Sequence, residues 1–225
     1  MWLDTPVLSW VDLESNDRPL DKSVDEGANM ANMKEKIKEA AIDLFYRKGY
    51  FATSLNDVAR VIGIRKASIY HHYPSKESLL LNILQTVLVD LTANLHEDLK
   101  GIEGIEDKMR AAIRSHVRFH IERQKEVLIS DSELRGLSAE NYATVVGVRD
   151  SYENELQALL LEGMKAGVWA EGDVKVLSFA ILNMCTAVAG WFKPAGRLSE
   201  DDIAGVYEEF ILGGLKAGAY SKLDS

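Results

Sequence analysis

Cysteine is almost absent from this sequence, since Cys185 is the only one. A single thiol forms no internal disulfide, and no cluster of Cys and His has the spacing of metal ligands. We therefore expect a fold that is stabilised by its apolar core alone, with no metal and no cofactor. Such cysteine usage is typical of a reduced intracellular protein, and we expect a cytoplasmic location.

Proline and alternating patterns are also scarce. The chain has four prolines in 225 residues, and no stretch alternates apolar and polar side chains for long enough to predict a sheet. Apolar residues make up 47% of the sequence and recur every three or four positions. This pattern predicts an all-α fold. No charged segment followed by an apolar one opens the chain, so we expect no secretory signal.

Long apolar runs are limited to residues 176–192. A run of about 17 residues is at the short limit for crossing a bilayer, and this one contains Ser178, Asn183 and Thr186. We interpret it as a buried core helix or dimer helix, and we expect no membrane partner.

Reactive constellations are missing as well. The Ser, His and Asp residues occur in no nucleophile motif, and no glycine-rich loop predicts a phosphate site. Cys185 lies in an apolar run, where a thiol is unreactive. We predict that the protein is not an enzyme and has no catalytic residues.

What the chain does have is a local excess of positive charge. Its formal net charge is −9, yet residues 34–77 carry nine basic and five acidic side chains. Residues 1–33 carry two basic and seven acidic ones. A basic segment on an acidic body is typical of nucleic-acid binding, because phosphate is neutralised locally.

The same basic segment has the order of a helix-turn-helix motif. Ser54 followed by Asp57 predicts the start of a second helix, Gly63 predicts its end, and Pro74 ends a short third helix. The outward side chains of the third helix include no acid, and they are Arg65, Lys66, Ser68, Tyr70, His71 and His72. A helix with this surface suits the major groove of DNA.

At these residues the chain resembles the TetR family of repressors. The match covers about residues 34–80 and consists of Ala40, Ala41, Leu44, Phe45, Gly49, Tyr50, Thr53, Ser54, Val58, Ala59, Gly63, Ile64, Ser68, Ile69, Tyr70, His71, His72, Tyr73, Lys76, Glu77, Leu79 and Leu80. The resemblance implies a homodimer on a palindromic operator in double-stranded DNA. Arg65 and Ala67 depart from the family pattern, which commonly has a small capping residue and Gly there.

The resemblance also implies roles for individual residues. Phosphate contacts are expected from Thr53, Ser54, Tyr70, His71 and Lys76. Contacts to base edges are expected from Arg65, Lys66 and Ser68, and an Arg paired with guanine is the commonest of these contacts.

The chain as a whole divides into three regions. Residues 1–30 are acidic and contain two prolines, which predicts a flexible tail. Residues 31–77 form the helix-turn-helix DNA-binding domain. Residues 78–225 form a ligand-binding and dimerisation domain, whose helices are predicted at about 105–125, 126–135, 138–167, 173–193 and 199–218, after a long helix capped by Ser75.

Segments of the C-terminal half resemble the TetR subgroup that responds to acyl-coenzyme A thioesters in fatty-acid or steroid breakdown. They begin at Arg149, Gly163, Trp191 and Gly213. The resemblance implies release from DNA by a small apolar effector, with an acyl-coenzyme A thioester as the candidate. Effector contacts are expected from Phe119, Arg123, Arg149, Phe179, Asn183 and Trp191. Further cations for the thioester phosphates are His116, Arg118 and His120.

The last two helices are expected to form the dimer seam. Its residues are Met184, Ala187, Trp191, Ile203, Val206 and Phe210. Two alternatives stay open from the residues alone. One is a repressor of the same fold that senses drugs or other small molecules. The other is a helical adaptor that does not bind DNA, which would leave the donor-rich third helix unexplained.

Overall fold

The computed structural model describes the backbone of residues 22–217 and the side chains of residues 29–217. All the regular secondary structure in the described part is helical, and this part has no strand. Its helices are α1 Lys22–Lys48, α2 Leu55–Ile62, α3 Lys66–Tyr70, α4 Lys76–Leu99, α5 Ile105–Glu122, α6 Gln124–Ser132, α7 Ala139–Lys165, α8 Val174–Thr186, α9 Val188–Trp191 and α10 Glu200–Ala217, with a 3₁₀ turn at Leu134–Gly136. The prediction of an all-α fold is confirmed.

Helix α1 begins earlier than the sequence pattern predicted. Residues 22–30 belong to the predicted flexible tail 1–30, but they form the first turns of α1. No proline lies between Lys22 and Lys48, so nothing removes a backbone donor or forces a kink in this stretch. The first helix and the predicted tail therefore overlap over residues 22–30, and residues 1–21 lie outside the described residues.

Capping residues set the ends of the helices in the N-terminal domain, as predicted. The Ser54 hydroxyl accepts the Asp57 N–H at 3.2 Å, and the Asp57 carboxylate accepts the Ser54 N–H at 3.0 Å. Gly63 ends α2 with φ at 74°, a left-handed conformation that costs glycine little. Ser75 caps α4 by the same reciprocal arrangement.

The predicted helices of the C-terminal body all occur, with two breaks that the pattern did not show. The segment predicted as one helix at 126–135 ends as α6 at Ser132 and continues as the 3₁₀ turn. The segment predicted at 173–193 divides after Thr186 into α8 and α9. The Gln124 side chain donates to the carbonyls of Ala189 and Phe192 at 3.2 and 3.1 Å, so α9 is held against the start of α6.

Helices α4 and α5 form the centre of the body. Helix α5 packs against α4, α7, α8 and α10, while α4 also contacts α1, α6 and α7. The largest fully buried side chains are Ile37, Phe45, Val58, Ile69, Leu79, Leu80, Ile83, Leu84, Met109, Ile113, Ile129 and Leu160. Because they come from both domains, one continuous apolar core joins the helix-turn-helix to the body.

Ion pairs hold α10 on α5. The buried carboxylate of Glu208 accepts hydrogen bonds from the guanidinium groups of Arg110 and Arg114. Lys216 pairs with Glu106 at 2.8 Å near the end of α10. A buried carboxylate is stable only with such partners, so Glu208 fixes the position of α10 along α5.

Within the described residues, two helical stretches have the length and apolar composition of a membrane span, namely α4 (Lys76–Leu99) and α8 together with α9 (Val174–Trp191). Helix α4 buries Leu84, Val87 and Leu91 among the other helices of the body. Core helices of water-soluble proteins commonly meet the same two criteria, so these helices are weak evidence for a membrane protein.

The turn after α7 is closed by an aromatic side chain on a glycine. Trp169 is buried, and its indole N–H donates to the Leu160 carbonyl at 2.9 Å. A Cβ on Gly163 would lie 1.9 Å from the Trp169 ring. The Val168 N–H donates to the Gly163 carbonyl at 2.9 Å and completes the turn. Position 163 therefore accepts only glycine without a shift of the indole.

We predict opposite effects for two Gly-to-Ala changes in α7. Gly163→Ala forces Trp169 out of its site and should lower the free energy of unfolding by about 1–3 kcal/mol, as overpacking does. Gly147→Ala meets open space and should raise it by about 0.5–1 kcal/mol through helix propensity. Urea unfolding of both variants measures this. Equal stabilities would contradict the packing described for Trp169.

Candidate nucleic-acid interface and ligand pocket

The third helix presents the predicted donor surface, although it is shorter than predicted. It spans Lys66–Tyr70, because Ile69 alone anchors it in the core. Arg65, Lys66 and Tyr70 are exposed, as is His71 just beyond the helix, and Ser68 is half-buried. The Lys66 ammonium lies 5.6 Å from the Tyr70 ring centroid. These side chains form the donor-rich surface that the sequence predicted.

Lys76 holds the loop before α2 in place. Its ammonium donates to the carbonyls of Tyr50 and Thr53, at 2.9 Å each, and lies 4.1 Å from the Tyr50 ring centroid. Burial lowers the pKa of Lys76, and the nearby Glu133 carboxylate acts against that shift. Two of its three N–H groups donate to these carbonyls, so Lys76 has one N–H left to donate to a phosphate.

Thr53 does not lie where the predicted phosphate contact requires. Its side chain is 2% exposed, and the hydroxyl donates to the Gly49 carbonyl at 2.9 Å. This hydroxyl closes the turn between α1 and α2 and is therefore not available to DNA. Ser54 is exposed, but its hydroxyl donates to Asp57 at 2.6 Å, and this hydrogen bond holds the pKa of Asp57 below its ordinary value.

A shallow concavity of about 450 Å³ joins these elements. It lies between the start of α2, the end of α3 and the start of α4, and it is lined by Phe51, Ala52, Thr53, Ser54, Leu55, Lys66, Tyr70, Pro74, Ser75 and Lys76. Two lysines, an exposed tyrosine and two helix N-termini form its walls, and such groups attract phosphate.

The helix-turn-helix is joined to the body beside this concavity. The Glu133 carboxylate accepts the Tyr50 N–H at 3.2 Å, and a Cβ on Gly136 would lie 2.6 Å from the Tyr50 ring. On α4, the Glu77 carboxylate accepts the N–H groups of Ser138 and the Asn141 amide, at 2.7 and 2.6 Å. The loop before α2 is thus bound by the end of α6, and the start of α4 by the start of α7.

The body contains a pocket of about 540 Å³ between α4, α5, α6, α7 and α8, within the range of small-molecule sites. Four of the six predicted effector residues line it, namely Phe119, Arg149, Phe179 and Asn183. The other two do not. Arg123 pairs with Asp90 and Glu126 instead, and Trp191 is half exposed outside the pocket.

The polar rim of the pocket carries charges of both signs. The Arg149 guanidinium donates to the carbonyl and the hydroxyl of Ser130, at 2.7 and 2.9 Å, and lies 3.3 Å from Asp131. Burial raises the pKa of Asp131, and Arg149 opposes that shift. Asp150 and Glu153 line the same pocket. One cation among three carboxylates is a poor site for a phosphate inside the pocket.

His116 and His120 are not the surface cations that the sequence suggested. Both are 5% exposed and both line the pocket. Burial lowers the pKa of His120 to about 4 and holds that of His116 well below its ordinary value. Tyr152 and Thr186 contact them, at 2.8 and 3.1 Å from His116. Spacing of four residues on α5 was the only sequence signal for this group. Arg118 lies on the surface and pairs with Asp201 at 2.6 Å.

An exposed apolar face lies on α8 and α10. Phe210 is 70% exposed and Val206 is 58% exposed, and a groove of about 610 Å³ runs between the two helices past Met184 and Phe210. Ala187 is also exposed. Ile203, predicted for the same seam, is 4% exposed in the core of the chain, because α10 turns that side toward α5.

Comparison with known protein families gives a match for each half of the chain. Residues 37–83 match the model described as bacterial regulatory proteins, tetR family. Residues 103–215 match the model described as tetracyclin repressor-like, C-terminal domain. The first match contains α2, α3 and the concavity, and the second contains much of the pocket.

Individual relatives resemble the chain over most of its length. The HTH-type transcriptional repressor KstR2 of Rhodococcus jostii is 28% identical over 194 residues, which are 85% of this chain and 95% of that one. The crystal structure of the TetR family transcriptional regulator PfmR from Thermus thermophilus is 34% identical, covers 80% of this chain and 98% of its own, and has a TM-score of 0.74. The structure of AibR in complex with isovaleryl coenzyme A and operator DNA is 27% identical, with 79% and 96% coverage and a TM-score of 0.73.

We predict that Lys76→Gln weakens binding to all duplexes by a similar factor. A phosphate contact carries no sequence information, and its loss should make the slope of log affinity against log salt shallower by about 1. Fluorescence anisotropy with several unrelated duplexes, at a series of salt concentrations, measures both effects. Lys165→Gln is the control, since that exposed lysine ends α7, far along the helix from the DNA-binding end. An unchanged salt slope for Lys76→Gln would show that this lysine does not contact phosphate.

Proposed function

The chain belongs to the tetR family of bacterial regulatory proteins, and we propose that it represses transcription as a homodimer that a small apolar effector releases from a palindromic operator. The chain is a TetR-type transcriptional repressor with a helix-turn-helix DNA-binding domain. The family consists of regulators rather than enzymes, and we expect this one to act in the cytoplasm. The observation that carries the proposal is that α4 is part of both sites.

Operator recognition is assigned to the exposed end of α3. Arg65 and Lys66 are the long donors there, and in this proposal Arg65 makes a bidentate contact with guanine. Tyr70, His71 and the free proton of Lys76 contact phosphate in this proposal, and Ser68 reaches a base edge. In a dimer, two such helices bind half-sites about one helical turn apart, roughly 34–36 Å.

The dimer is assigned to the exposed face of α8 and α10. Phe210, Val206, Met184, Ala187 and Trp191 together give this face the apolar character that a subunit interface requires. The interface of a twofold dimer is self-complementary, so α8 and α10 of each subunit would build a four-helix seam.

We predict that Phe210→Arg converts the dimer into a monomer that no longer binds the operator. A charge buried without a partner is expensive, and one half-site offers too few contacts for stable binding. Sedimentation velocity and operator titration measure the two losses. Val89→Arg, a similar change at an exposed position of α4, should leave both unchanged. If Phe210→Arg sediments as a dimer, the interface lies elsewhere.

The effector is assigned to the 540 Å³ pocket, with an acyl-coenzyme A thioester as the candidate. Val87, Leu88, Phe119 and Phe179 supply apolar walls for an acyl group. The carboxylates at the rim would repel the nucleotide phosphates, so these remain outside the pocket. Support comes from AibR, whose crystal structure contains isovaleryl coenzyme A and operator DNA.

Coupling between the two sites would run along α4 and α6. Helix α4 lines the pocket with Val87, Leu88 and Leu91, and its first residue, Lys76, binds the loop before α2. At α6, Arg149 binds Ser130 three residues before Glu133. An effector that tilts either helix changes the separation of the two recognition helices. A coupling free energy of about 1–3 kcal/mol would lower operator affinity 5- to 150-fold.

A second candidate is a repressor that senses lipophilic cations, including drugs. The observation that favours it is the set of three carboxylates, Asp131, Asp150 and Glu153, beside a largely apolar pocket. A cation would gain from these groups, whereas a coenzyme A phosphate would not. Release of operator DNA by a planar cationic dye, with no release by thioesters, would select this alternative.

We predict that acyl-coenzyme A thioesters dissociate a preformed operator complex, whereas coenzyme A and the free acids do not. Val146 lines the pocket from α7, so Val146→Trp should fill it and abolish the response without loss of DNA binding. Thr144→Trp changes an exposed position of the same helix and should respond like the unmodified chain. A normal thioester response of Val146→Trp would place the effector outside this pocket.

A further inference from the structure

Four polar side chains at the pocket form one continuous hydrogen-bonded chain. Tyr152 Oη lies 2.8 Å from His116 Nδ1, and His116 Nε2 lies 3.1 Å from Thr186 Oγ1. Thr186 Oγ1 lies 3.3 Å from His120 Nε2, and His120 Nδ1 lies 2.7 Å from the His116 carbonyl oxygen. The two imidazole rings stack with centroids 3.9 Å apart. The chain therefore ends on a backbone group whose role is fixed.

That carbonyl determines the direction of the whole chain. A carbonyl oxygen only accepts, so His120 Nδ1 carries a proton. Both imidazoles are neutral, because burial lowers their pKa values and a second positive charge in a stacked pair would be repelled. His120 Nε2 is therefore without a proton and accepts from the Thr186 hydroxyl.

The positions of the other protons in the hydrogen-bonded chain follow from this assignment. Since the Thr186 hydroxyl donates to His120, its oxygen accepts from His116 Nε2, which must carry a proton. His116 Nδ1 is then bare and accepts from the Tyr152 hydroxyl. The two histidines are opposite tautomers, with the proton on Nε2 in His116 and on Nδ1 in His120. Burial also raises the pKa of Tyr152, which keeps its hydroxyl proton in place.

At this position the hydrogen-bonded chain offers the pocket acceptors but no donors. Tyr152 and Thr186 both line the pocket, and each donates its single hydroxyl proton to a histidine of the hydrogen-bonded chain. What each oxygen retains is a lone pair. Turning either hydroxyl toward a ligand would leave a buried His nitrogen without its donor, which is costly. Donors for a ligand lie one helical turn away, at Arg149 on α7 and at Asn183 on α8.

We propose that this chain, Tyr152–His116–Thr186–His120, makes the pocket selective for effectors that carry a hydrogen-bond donor, such as a hydroxyl, on their apolar part. A ketone or ether at the same place meets only lone pairs and is disfavoured. For an acyl thioester, the preferred effector is then a hydroxylated acyl group rather than a saturated or an oxo one. This inference rests on the proposed function, because it assumes that the effector occupies this pocket.

The tautomers are tested without any ligand. In the full chain labelled with ¹⁵N-histidine, long-range ¹H–¹⁵N spectra at neutral pH distinguish protonated from bare ring nitrogens. The five histidines are assigned by single substitution to Gln. We expect a bare Nδ1 in His116 and a bare Nε2 in His120. The same tautomer in both rings, or an imidazolium in either, would overturn the proposal.

Selectivity is tested with decanoyl-coenzyme A and two matched series that carry a hydroxyl or an oxo group at successive positions of the acyl chain. We expect one position at which the hydroxyl raises affinity about five- to tenfold, the size of one net hydrogen bond, while the oxo group does not. Thr186→Val and Tyr152→Phe should bring the ratio of hydroxyl to oxo affinity near one, and Thr186→Ser should retain it. Thermal unfolding of each variant establishes that it is folded. Equal affinities of the hydroxyl and oxo compounds at every position would refute the selectivity.

A further pair of probes separates this proposal from the assignment of thioesters. Decan-1-ol and methyl decyl ether differ in the hydroxyl proton and carry no coenzyme A. If thioesters do not bind but decan-1-ol, and not the ether, shifts the His116 and His120 ring signals, the thioester assignment fails and the selectivity stands. If thioesters release DNA but the hydroxyl and oxo forms act alike, the proposed function stands and the selectivity fails.

Discussion

The backbone N–H and carbonyl groups of Tyr50 join the helix-turn-helix to the helical body. Its N–H is bound by Glu133 at 3.2 Å, and its carbonyl is bound by Lys76 at 2.9 Å. Its ring meets Phe45 edge-on and rests on Gly136. Because one partner follows α6 and the other begins α4, the orientation of α2 and α3 depends on how these two helices lie relative to each other.

At this junction the backbone hydrogen bonds are complete, but one buried carboxylate is only partly hydrogen-bonded. Glu133 is 7% exposed, and within the described residues its Oε2 atom has no hydrogen-bond partner. A buried carboxylate oxygen without a partner is costly, so the docked position of α6 lacks the fully satisfied polar contacts seen at Glu208 on α10. Under the proposed function this incomplete contact would matter, since an effector with modest differential affinity shifts only an equilibrium that is nearly balanced.

The DNA-binding half could be predicted from the sequence because its caps and turns depend on residues that are close together in the chain. Ser54, Gly63 and Ser75 act through their own neighbours, so their roles as caps and turn were visible without tertiary information, and the exposed Arg65 followed from the helical period. Thr53 was misread for the opposite reason. Its hydroxyl reaches back to α1, and only the packing of α1 on α2 shows that the group is internal.

The sequence by itself determined the all-α class, the helix boundaries at capping residues and the family, because these depend on contacts within a few residues and on a local motif. It did not determine which polar residues meet in the body. His116 and His120 read as cations until the fold buried them beside Tyr152 and Thr186, from two other helices. Tertiary structure alone decided their charge and their tautomers, because burial disfavours the imidazolium ion and one backbone carbonyl then fixes every proton in the chain.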